Sequence, residues 1–458
     1  MAFSDLRFIF YFLPAFVLLH TLLPQRYKNA LLLLSSLGVY AIGAGWEAAA
    51  ILCGAVLVNH LLACLTAGRG LAVRRAVLAL ALLVDLGALF CFKYLVPLWN
   101  RFGPESPALR IVLPLGVSLY LFQLIASQID VYRADLEPER SLTDFGVFVA
   151  VFPQLTMGPI LRYGAVRDTI KERRPGWEDL EQGFRLFVLG LSSKVLLADQ
   201  FAHLWVVLER IGYEYLSTPL AWLGAVGYSM QLYFDFQGYS LMAMGLGRML
   251  ALPIPRNFDE PYSSRSVSEF YRRWHITLGT WFRDYLYIPL GGSRHGTART
   301  LVSSAAVWLL TGLWHGATPN YLIWGGVLFL FVAADKLYLR RALEKYRVLP
   351  HILLLFVIVQ TWVIFRIEDL GELAAYFSRL YPFFGSDAAI NPGDFVRQFT
   401  SYWWLLGIGA ALCSPMPRRL YERYRGNALS WIPLFALFWL SVYFLATGSG
   451  SAFLYFRF

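Results

Sequence analysis

The stretch from Ala76 to Phe90 reads AVLALALLVDLGALF, and Asp85 is the one ionisable residue in it. Apolar stretches of this kind recur along all 458 residues, and about 20 such residues in a helix are enough to cross a bilayer. The chain is 57% hydrophobic and only 15% charged, with mean hydropathy +0.51, whereas soluble domains are about 25% charged. A membrane β-barrel would instead show shorter, alternating segments. The sequence therefore predicts an all-α polytopic membrane protein.

The apolar runs predict eleven or twelve transmembrane helices. Short loops after the first and third runs are rich in Lys and Arg, whereas those after the second and fourth are poorer. Positive loops face the cytoplasm, so we expect both termini to lie outside. The predicted spans are about 7–24, 29–45, 47–66, 76–98, 109–130, 180–210, 217–250, 301–314, 320–339, 350–366, 401–416 and 430–448.

The composition also indicates how many domains the chain has and which partners it lacks. No stretch rich in Gly, Ser or Pro divides the chain, so we predict a single integral domain over 1–458, with N-terminal helices at 1–140, a motif-bearing core at 145–330 and C-terminal helices at 350–458. The net charge of +10 is explained by the cytoplasmic loops, and nothing predicts nucleic-acid binding. The four cysteines are scattered without CxxC spacing, so no metal site is expected.

Two regions depart from regular spans. The apolar stretch 145–161 contains Pro153, Gly158 and Pro159, which predicts a broken or re-entrant segment, with an ordinary kinked helix as the alternative. Residues 251–300 interleave arginines with aromatic residues and contain no clean apolar run. Short helices in or near the cytoplasmic interface are the prediction for this second region.

Two histidines are the candidate catalytic residues. His275 lies in the basic region, and His315 ends the apolar run that begins at Val307. An imidazole exchanges protons near neutral pH, and an ionisable group at membrane depth is a functional candidate by default. A general base must be within hydrogen-bond reach of the proton that it removes, so we expect a hydroxyl acceptor beside His315. The alternative is that such a histidine is a core residue whose ring nitrogens are hydrogen-bonded within the protein.

Several residues are candidates for supporting roles, and Trp314, directly before His315, is one of them. Asp235 falls inside an apolar span and Asn320 is close to His315 in the chain, so either could orient the acceptor. Arg272, Arg273 and Arg283 could bind the phosphates of a coenzyme, or equally well lipid headgroups.

At these residues the chain resembles the membrane-bound O-acyltransferases, and within them the bacterial branch that O-acetylates polysaccharides such as alginate. The blocks that carry the resemblance occur in the same order from about residue 150 to the C-terminus. They are Phe152-Pro153-Gln154 with Gly158-Pro159-Ile160, Tyr233-Phe234-Asp235-Phe236 with Gly238-Tyr239-Ser240, Asn257-Phe258 with Pro261-Tyr262, Arg272-Arg273-Trp274-His275-Ile276, residues 281–292, Leu310-Thr311-Gly312-Leu313-Trp314-His315-Gly316 and residues 453–458.

The resemblance implies a bowl of helices around a thin membrane centre, with a tunnel that brings the acyl donor to a histidine. His315, preceded by Trp314, matches the catalytic histidine of the Trp-His-Gly block, and His275 matches a second histidine with a supporting role. The segment 287–292 fits the polysaccharide branch better than the similar D-alanyl-lipoteichoic-acid branch. Residues 237–241 depart from the alginate type, which puts the identity of the acceptor in doubt.

The sequence thus predicts an O-acyltransferase of a bacterial cytoplasmic membrane, without a bound cofactor. Acetyl-CoA on the cytosolic side is the expected donor, although another acyl donor would serve. The expected acceptor is an extracytoplasmic polysaccharide or a periplasmic acetyltransferase partner, and membrane lipids surround the chain. The alternatives are D-alanyl transfer to a cell-wall polymer, a proton-coupled transporter or flippase that uses Asp235, His275 and His315, and a non-catalytic scaffold.

Overall fold

The computed structural model describes residues 2–95, 98–99, 113–381, 383, 391, 393–448 and 453. The predicted spans at 76–98 and 109–130 lie partly outside these residues, as does the C-terminal block after residue 453. Across the described residues the secondary structure is helical, apart from an isolated bridge between Phe258 and Trp274. The prediction of an all-α protein is confirmed.

The contacts within the chain divide it into two compact units. The first consists of Met1–Leu191 with Tyr239–Arg256, and the second of Ser192–Gly238 with Asn257–Phe458. The single-domain prediction stays a prediction. The helices that begin in the first unit are α1 (Leu13–Leu22), α2 (Gln25–Ala44), α3 (Trp46–Leu65), α4 (Leu71–Phe90), α5 (Val117–Arg133), α6 (Leu142–Ala150), α7 (Tyr163–Glu172) and α8 (Trp177–Ser192).

The remaining helices begin in the second unit, and α10 contributes residues to both units. They are α9 (Asp199–Ile211), α10 (Thr218–Met249), α11 (Val267–Arg273), α12 (Ile276–Phe282), α13 (Gly296–His315), α14 (Pro319–Ala334), α15 (Arg340–Leu343), α16 (Leu349–Arg366), α17 (Leu370–Leu380), α18 (Asp394–Leu412), α19 (Met416–Tyr424) and α20 (Trp431–Ala446). The short helices α11 and α12 confirm that 251–300 is not a span, whereas their place at the membrane interface stays a prediction.

Several helices have the length and composition of membrane spans. Within the described part of the chain, five helical stretches qualify: Trp46–Leu65, Leu71–Leu95, Pro319–Leu343, Leu349–Arg366 and Ala428–Ala446. The chain is a multi-pass membrane protein, and the total of eleven or twelve crossings stays a prediction.

Among the described residues, four π-helical segments each carry a basic side chain. A π-helix is a rare departure from α-helical geometry and is often associated with function. The four segments are Cys91–Leu95 with Lys93, Ser193–Ala198 with Lys194, Arg283–Tyr287 with Arg283, and Asp335–Leu339 with Lys336.

The segment between α6 and α7 is non-helical over residues 151–162. Its polar groups are bound by protein: the Phe152 amide donates to Ser36 Oγ at 3.0 Å, and Thr156 Oγ1 lies 2.6 Å from Tyr239 Oη. Buried irregular backbone in a membrane protein requires partners of this kind. The prediction of a broken segment is confirmed and the kinked-helix alternative is wrong.

Two glycines allow α13 and α14 to pack closely. A Cβ atom on Gly312 would lie 2.5 Å from the Tyr321 carbonyl oxygen, and one on Gly325 would lie 2.5 Å from the Trp308 carbonyl oxygen. Neither distance is possible without separating the helices. Because His315 ends α13, this close packing fixes the position of its ring against α14.

We expect Gly325→Ala to destabilise the second unit, because overpacking a close contact costs about 1–3 kcal/mol. Gly326→Ala is the matched control, since a Cβ there meets nothing within 4 Å and Ala favours a helix by about 0.8–1.0 kcal/mol relative to Gly. Thermal unfolding of the purified protein in detergent should show a lower midpoint for Gly325→Ala only. Equal midpoints for the two variants would contradict this account of the packing.

Candidate active site

A cavity of about 520 Å³ in the second unit brings the two predicted histidines together. Both His275 and His315 line it, and both are buried, at 5% and 6% exposure. Most of its other lining is aromatic or aliphatic, which suits an apolar chain or a small acyl group better than a free ion. The aromatic lining residues include Tyr271, Trp274, Phe282, Tyr287, Trp308, Trp324 and Trp362.

His315 is the last residue of α13 and lies among aromatic rings. Its ring centroid is 4.6 Å from that of Trp314, 4.8 Å from Phe365 and 5.2 Å from Trp324. The Trp324 side chain is buried, and its Nε1–H has no hydrogen-bond acceptor among the described residues. The wall of the cavity therefore holds a potential proton acceptor within a cluster of aromatic rings.

His275 lies between α11 and α12 with a left-handed backbone, at φ 46°. Its Nδ1 is 3.3 Å from Asn257 Oδ1, which also accepts from the Thr277 amide and hydroxyl. Because a carboxamide oxygen only accepts, this contact assigns the proton of the neutral ring to Nδ1. Burial lowers the pKa of His275 to about 3, so the ring is neutral at physiological pH. Its Nε2 is then the acceptor.

Trp314 connects the two histidines. Its ring centroid lies 4.6 Å from His315 and 6.4 Å from His275, edge to face in both cases. The predicted supporting role of Trp314 therefore has a geometric basis, although it is a packing role and Trp314 does not itself line the cavity.

The three predicted arginines divide into two groups. Arg272 and Arg283 line the cavity, and Arg283 also pairs with Asp284 at 2.6 Å. Arg273 does not line it; its guanidinium pairs with Glu269 at 2.8 Å, one turn earlier in α11. Within the Arg272-Arg273 pair, Arg272 is therefore the exposed arginine that lines the cavity.

A second hollow of about 480 Å³ shares Ser268, Arg272 and Lys336 with the cavity. It adds the basic side chains of Arg265 and Arg340, together with carboxylates such as Asp335. Lys336 donates to Ser304 Oγ at 2.8 Å, which fixes its ammonium where the two hollows meet. We call this second hollow the mouth of the cavity; it is lined by four basic and three acidic side chains, whereas the cavity itself is lined mostly by aromatic and aliphatic ones.

Asp235 does not line the cavity. Its carboxylate lies 2.8 Å from the Lys194 ammonium, which also pairs with Asp199 at 2.5 Å, and all three side chains are no more than 2% exposed. Asp235 can carry its charge within an apolar helix because the buried Lys194 ammonium pairs with it. The predicted role of Asp235 in orienting an acceptor has no support from its position.

Asn320 is linked to His315 through Phe365. Its Nδ2 donates to the carbonyls of Ile364 and Phe365, at 3.1 and 3.3 Å, and its Oδ1 accepts from Thr318. It thereby ties the start of α14 to the end of α16, where Phe365 packs on His315. Asn320 supports the site through Phe365.

Sequence reasoning missed three residues of the site. Asn257 binds His275, Trp324 contacts His315, and Lys336 lies at the mouth of the cavity. Lys336 had a usable signal, since it adjoins Asp335 at the end of an apolar run. Asn257 was part of a motif block but nothing in the sequence paired it with His275, which is 18 residues later.

Within the described residues, no group of three or more His, Cys, Asp or Glu side chains is arranged to hold a metal ion. The model of the membrane-bound O-acyltransferase family matches residues 138–368, which is half of the chain. The chain belongs to the membrane-bound O-acyltransferase family. It is an O-acyltransferase, and both histidines and all the lining residues of the cavity lie within the matched residues.

Relatives within this family carry out related reactions. The chain is 40% identical to the probable alginate O-acetylase AlgI of Pseudomonas putida over 84% of this chain and 81% of the relative. It is 28% identical to the peptidoglycan O-acetyltransferase of Helicobacter pylori over 100% of this chain and 98% of the relative. It is also 27% identical to the teichoic acid D-alanyltransferase of Bacillus subtilis, over 54% and 64%.

We expect Asn257→Ala to lower the rate of acyl transfer about tenfold, because it removes the hydrogen bond that orients the His275 ring. Asn257→Asp keeps an acceptor at the same atom and should retain more activity, with a shifted pH profile because a carboxylate beside His275 favours its protonated form. Initial rates across pH for the two variants check this. Equal losses in both, with unchanged pH profiles, would mean that Asn257 only maintains the fold.

Proposed function

We propose that this O-acyltransferase moves an acetyl group from cytosolic acetyl-CoA to an extracytoplasmic polysaccharide, directly or through a periplasmic acetyltransferase partner. The proposed location is the cytoplasmic membrane of a bacterium. The observation that carries the proposal is the shared cavity that holds His275 and His315 behind a basic mouth. The relatives named as O-acetylases and O-acetyltransferases, which match most of the chain, support the acetyl group.

His315 is the proposed general base. Its imidazole accepts the proton of the acceptor hydroxyl while the hydroxyl oxygen attacks the thioester carbonyl. The C–O bond forms, the C–S bond breaks, and the proton passes from His315 to the departing thiolate.

His275 has a supporting role in this proposal. Its Nδ1–H is held by Asn257, which fixes the ring, and the ring in turn packs on Trp314 beside His315. Burial lowers the pKa of His275 to about 3, so its imidazole is too weak a base to compete with His315 for the proton. His275 therefore keeps the wall of the cavity in place and leaves Nε2 available as an acceptor.

The basic mouth is the proposed site for the donor's phosphates. Arg272 and Lys336 line both hollows, so a phosphate bound there would leave the acyl end directed toward the histidines. Arg283 lines the inner cavity and shares its charge with Asp284. Arg273, paired with Glu269, is not part of the proposed phosphate site.

D-alanyl transfer is the second candidate, because the teichoic acid D-alanyltransferases are also relatives of this chain. They match about half of it, whereas the O-acetylases match more than four fifths. Membership of an enzyme family leaves the transporter and the scaffold without support.

The proposal is tested in the native bacterium by deleting the gene and restoring it on a plasmid. We expect the O-acetyl content of the secreted or cell-wall polysaccharide, measured by proton NMR, to fall in the deletion strain and to return with the wild-type gene. D-alanyl esters, released by mild base and quantified, should be unchanged. Loss of D-alanyl esters with unchanged acetyl content would establish the second candidate instead.

A further inference from the structure

Helix α19 (Met416–Tyr424) lies on the surface of the second unit and buries none of its residues. Three apolar side chains recur along it every four residues: Met416, Leu420 and Tyr424 are 52%, 47% and 49% exposed. Side chains at this spacing form a single stripe along a helix. The protein therefore leaves about half of the surface of this apolar stripe uncovered.

Arg418 indicates which side of α19 faces the protein. Its guanidinium lies 3.0 Å from the carboxylate of Asp259, in the segment before α11. Because successive residues of a helix are about 100° apart, Met416, Leu420 and Arg423 point about 140–160° away from Arg418. The apolar stripe is therefore directed away from the segment that holds the helix.

The outward side of α19 is also basic. Arg419 and Arg423 are exposed and follow the same edge of the apolar stripe. Arg425 is exposed as well, but it points within about 20° of Arg418, on the side that faces the protein. An apolar face bordered by arginines is typical of a helix that lies on an anionic membrane surface.

The connection to the next helix keeps α19 at the surface of the membrane. Only residues 425–427 separate it from the candidate span Ala428–Ala446. Three residues extend over at most about 11 Å, so α19 stays within reach of the lipid headgroups. The arginines of residues 418–425 assign this side of the span to the cytoplasm, where the leaflet carries anionic lipid.

We propose that α19 binds the anionic phospholipids of the cytoplasmic leaflet. Met416, Leu420 and Tyr424 enter the boundary between headgroups and acyl chains, while Arg419 and Arg423 contact the lipid phosphates. A lipid fits this surface better than a cytosolic protein does, because the short connection holds the stripe at the level of the headgroups. The surface belongs to the second unit and does not depend on the proposed acetyl transfer.

The test is amide hydrogen exchange of the full-length protein in nanodiscs, measured by mass spectrometry on peptides that cover α19. We expect these amides to exchange more slowly in dioleoyl phosphatidylglycerol than in dioleoyl phosphatidylcholine, because a bound helix opens less often. Arg423→Gln should reduce this protection about fivefold, the effect of one arginine near an anionic surface. Arg425→Gln is the matched control, since it removes the same charge from the other side of the helix, and it should keep the wild-type protection.

Leu420→Gln tests the apolar stripe separately from the charge. It should speed the exchange of the α19 amides in both kinds of nanodisc, because the stripe meets the same hydrocarbon in each. Wild-type exchange rates in this variant would remove the stripe from the proposal.

Three outcomes would overturn the binding of anionic lipid. Equal exchange of the wild-type helix in the two kinds of nanodisc would mean that the headgroup charge has no effect on it. Equal losses in Arg423→Gln and Arg425→Gln would reduce the effect to net charge. Slower exchange only when an acidic carrier protein is added to phosphatidylcholine nanodiscs would assign the surface to a protein partner. If Arg423→Gln fails to fold, Arg419→Gln replaces it, and wild-type protection in that variant would equally contradict the proposal.

Discussion

Replacing His315 with alanine is expected to abolish acyl transfer while leaving the protein folded and inserted. The loss should be at least about 10²–10⁴-fold, the contribution of a positioned general base. The ring packs against the aromatic side chains of Trp314, Trp324 and Phe365, so its removal leaves a small apolar gap beside the cavity. Transfer of radiolabelled acetyl groups by membranes that contain equal amounts of each variant is the measurement.

His295→Ala is the control for this experiment. His295 precedes α13, the helix that ends in His315, and it is exposed. It should therefore retain wild-type activity. Activity of His315→Ala at the wild-type level would end the assignment of His315 as the base, whereas a loss accompanied by a lower unfolding midpoint would assign it to the fold.

Lys194→Met should produce the largest loss of stability among single substitutions in the second unit. The ammonium lies between two carboxylates, at 2.5 Å from Asp199 and 2.8 Å from Asp235, and 4.7 Å from the ring centroid of Phe453. Removing one partner of a buried ion pair costs about 3–5 kcal/mol because the other charge is left unpaired. Denaturation of the purified protein measures this loss as a change in the free energy of unfolding.

Lys345→Met, at an exposed position, is the control and should leave stability within about 0.5 kcal/mol. The double variant Lys194→Met with Asp235→Asn should recover part of the loss, since it also removes one of the stranded negative charges. If Lys194→Met were as stable as the wild type, the cluster would contribute nothing to the fold.

The sequence was sufficient for the features that depend on local composition. Apolar runs fix the helical class, because a backbone in hydrocarbon must satisfy its own hydrogen bonds. The prolines at 153 and 159 likewise fix the break after α6, because a proline lacks the amide proton that the helix requires. The motif blocks were sufficient to select His275 and His315, which the structure brings to one cavity.

Partners between distant parts of the chain could not be predicted in the same way. Asp235 was expected to serve the acceptor because a lone carboxylate in an apolar helix is costly, but its cost is offset by Lys194, 41 residues earlier. Arg272 and Arg273 are adjacent and identical in type. Their roles differ because successive residues of a helix point about 100° apart, so one lines the cavity and the other reaches Glu269.

In the π-helical segments the number of residues is as important as the residue types. Each segment accommodates one residue more per turn than an α-helix, so deleting a residue from Asp335–Leu339 would restore an α-helix and rotate the later residues of that helix by about 100°. Arg340, which follows the segment and lines the second hollow, would lose its direction toward that hollow although no chemical group in the site had changed. Over evolutionary time such segments should tolerate substitution at exposed positions but neither insertion nor deletion.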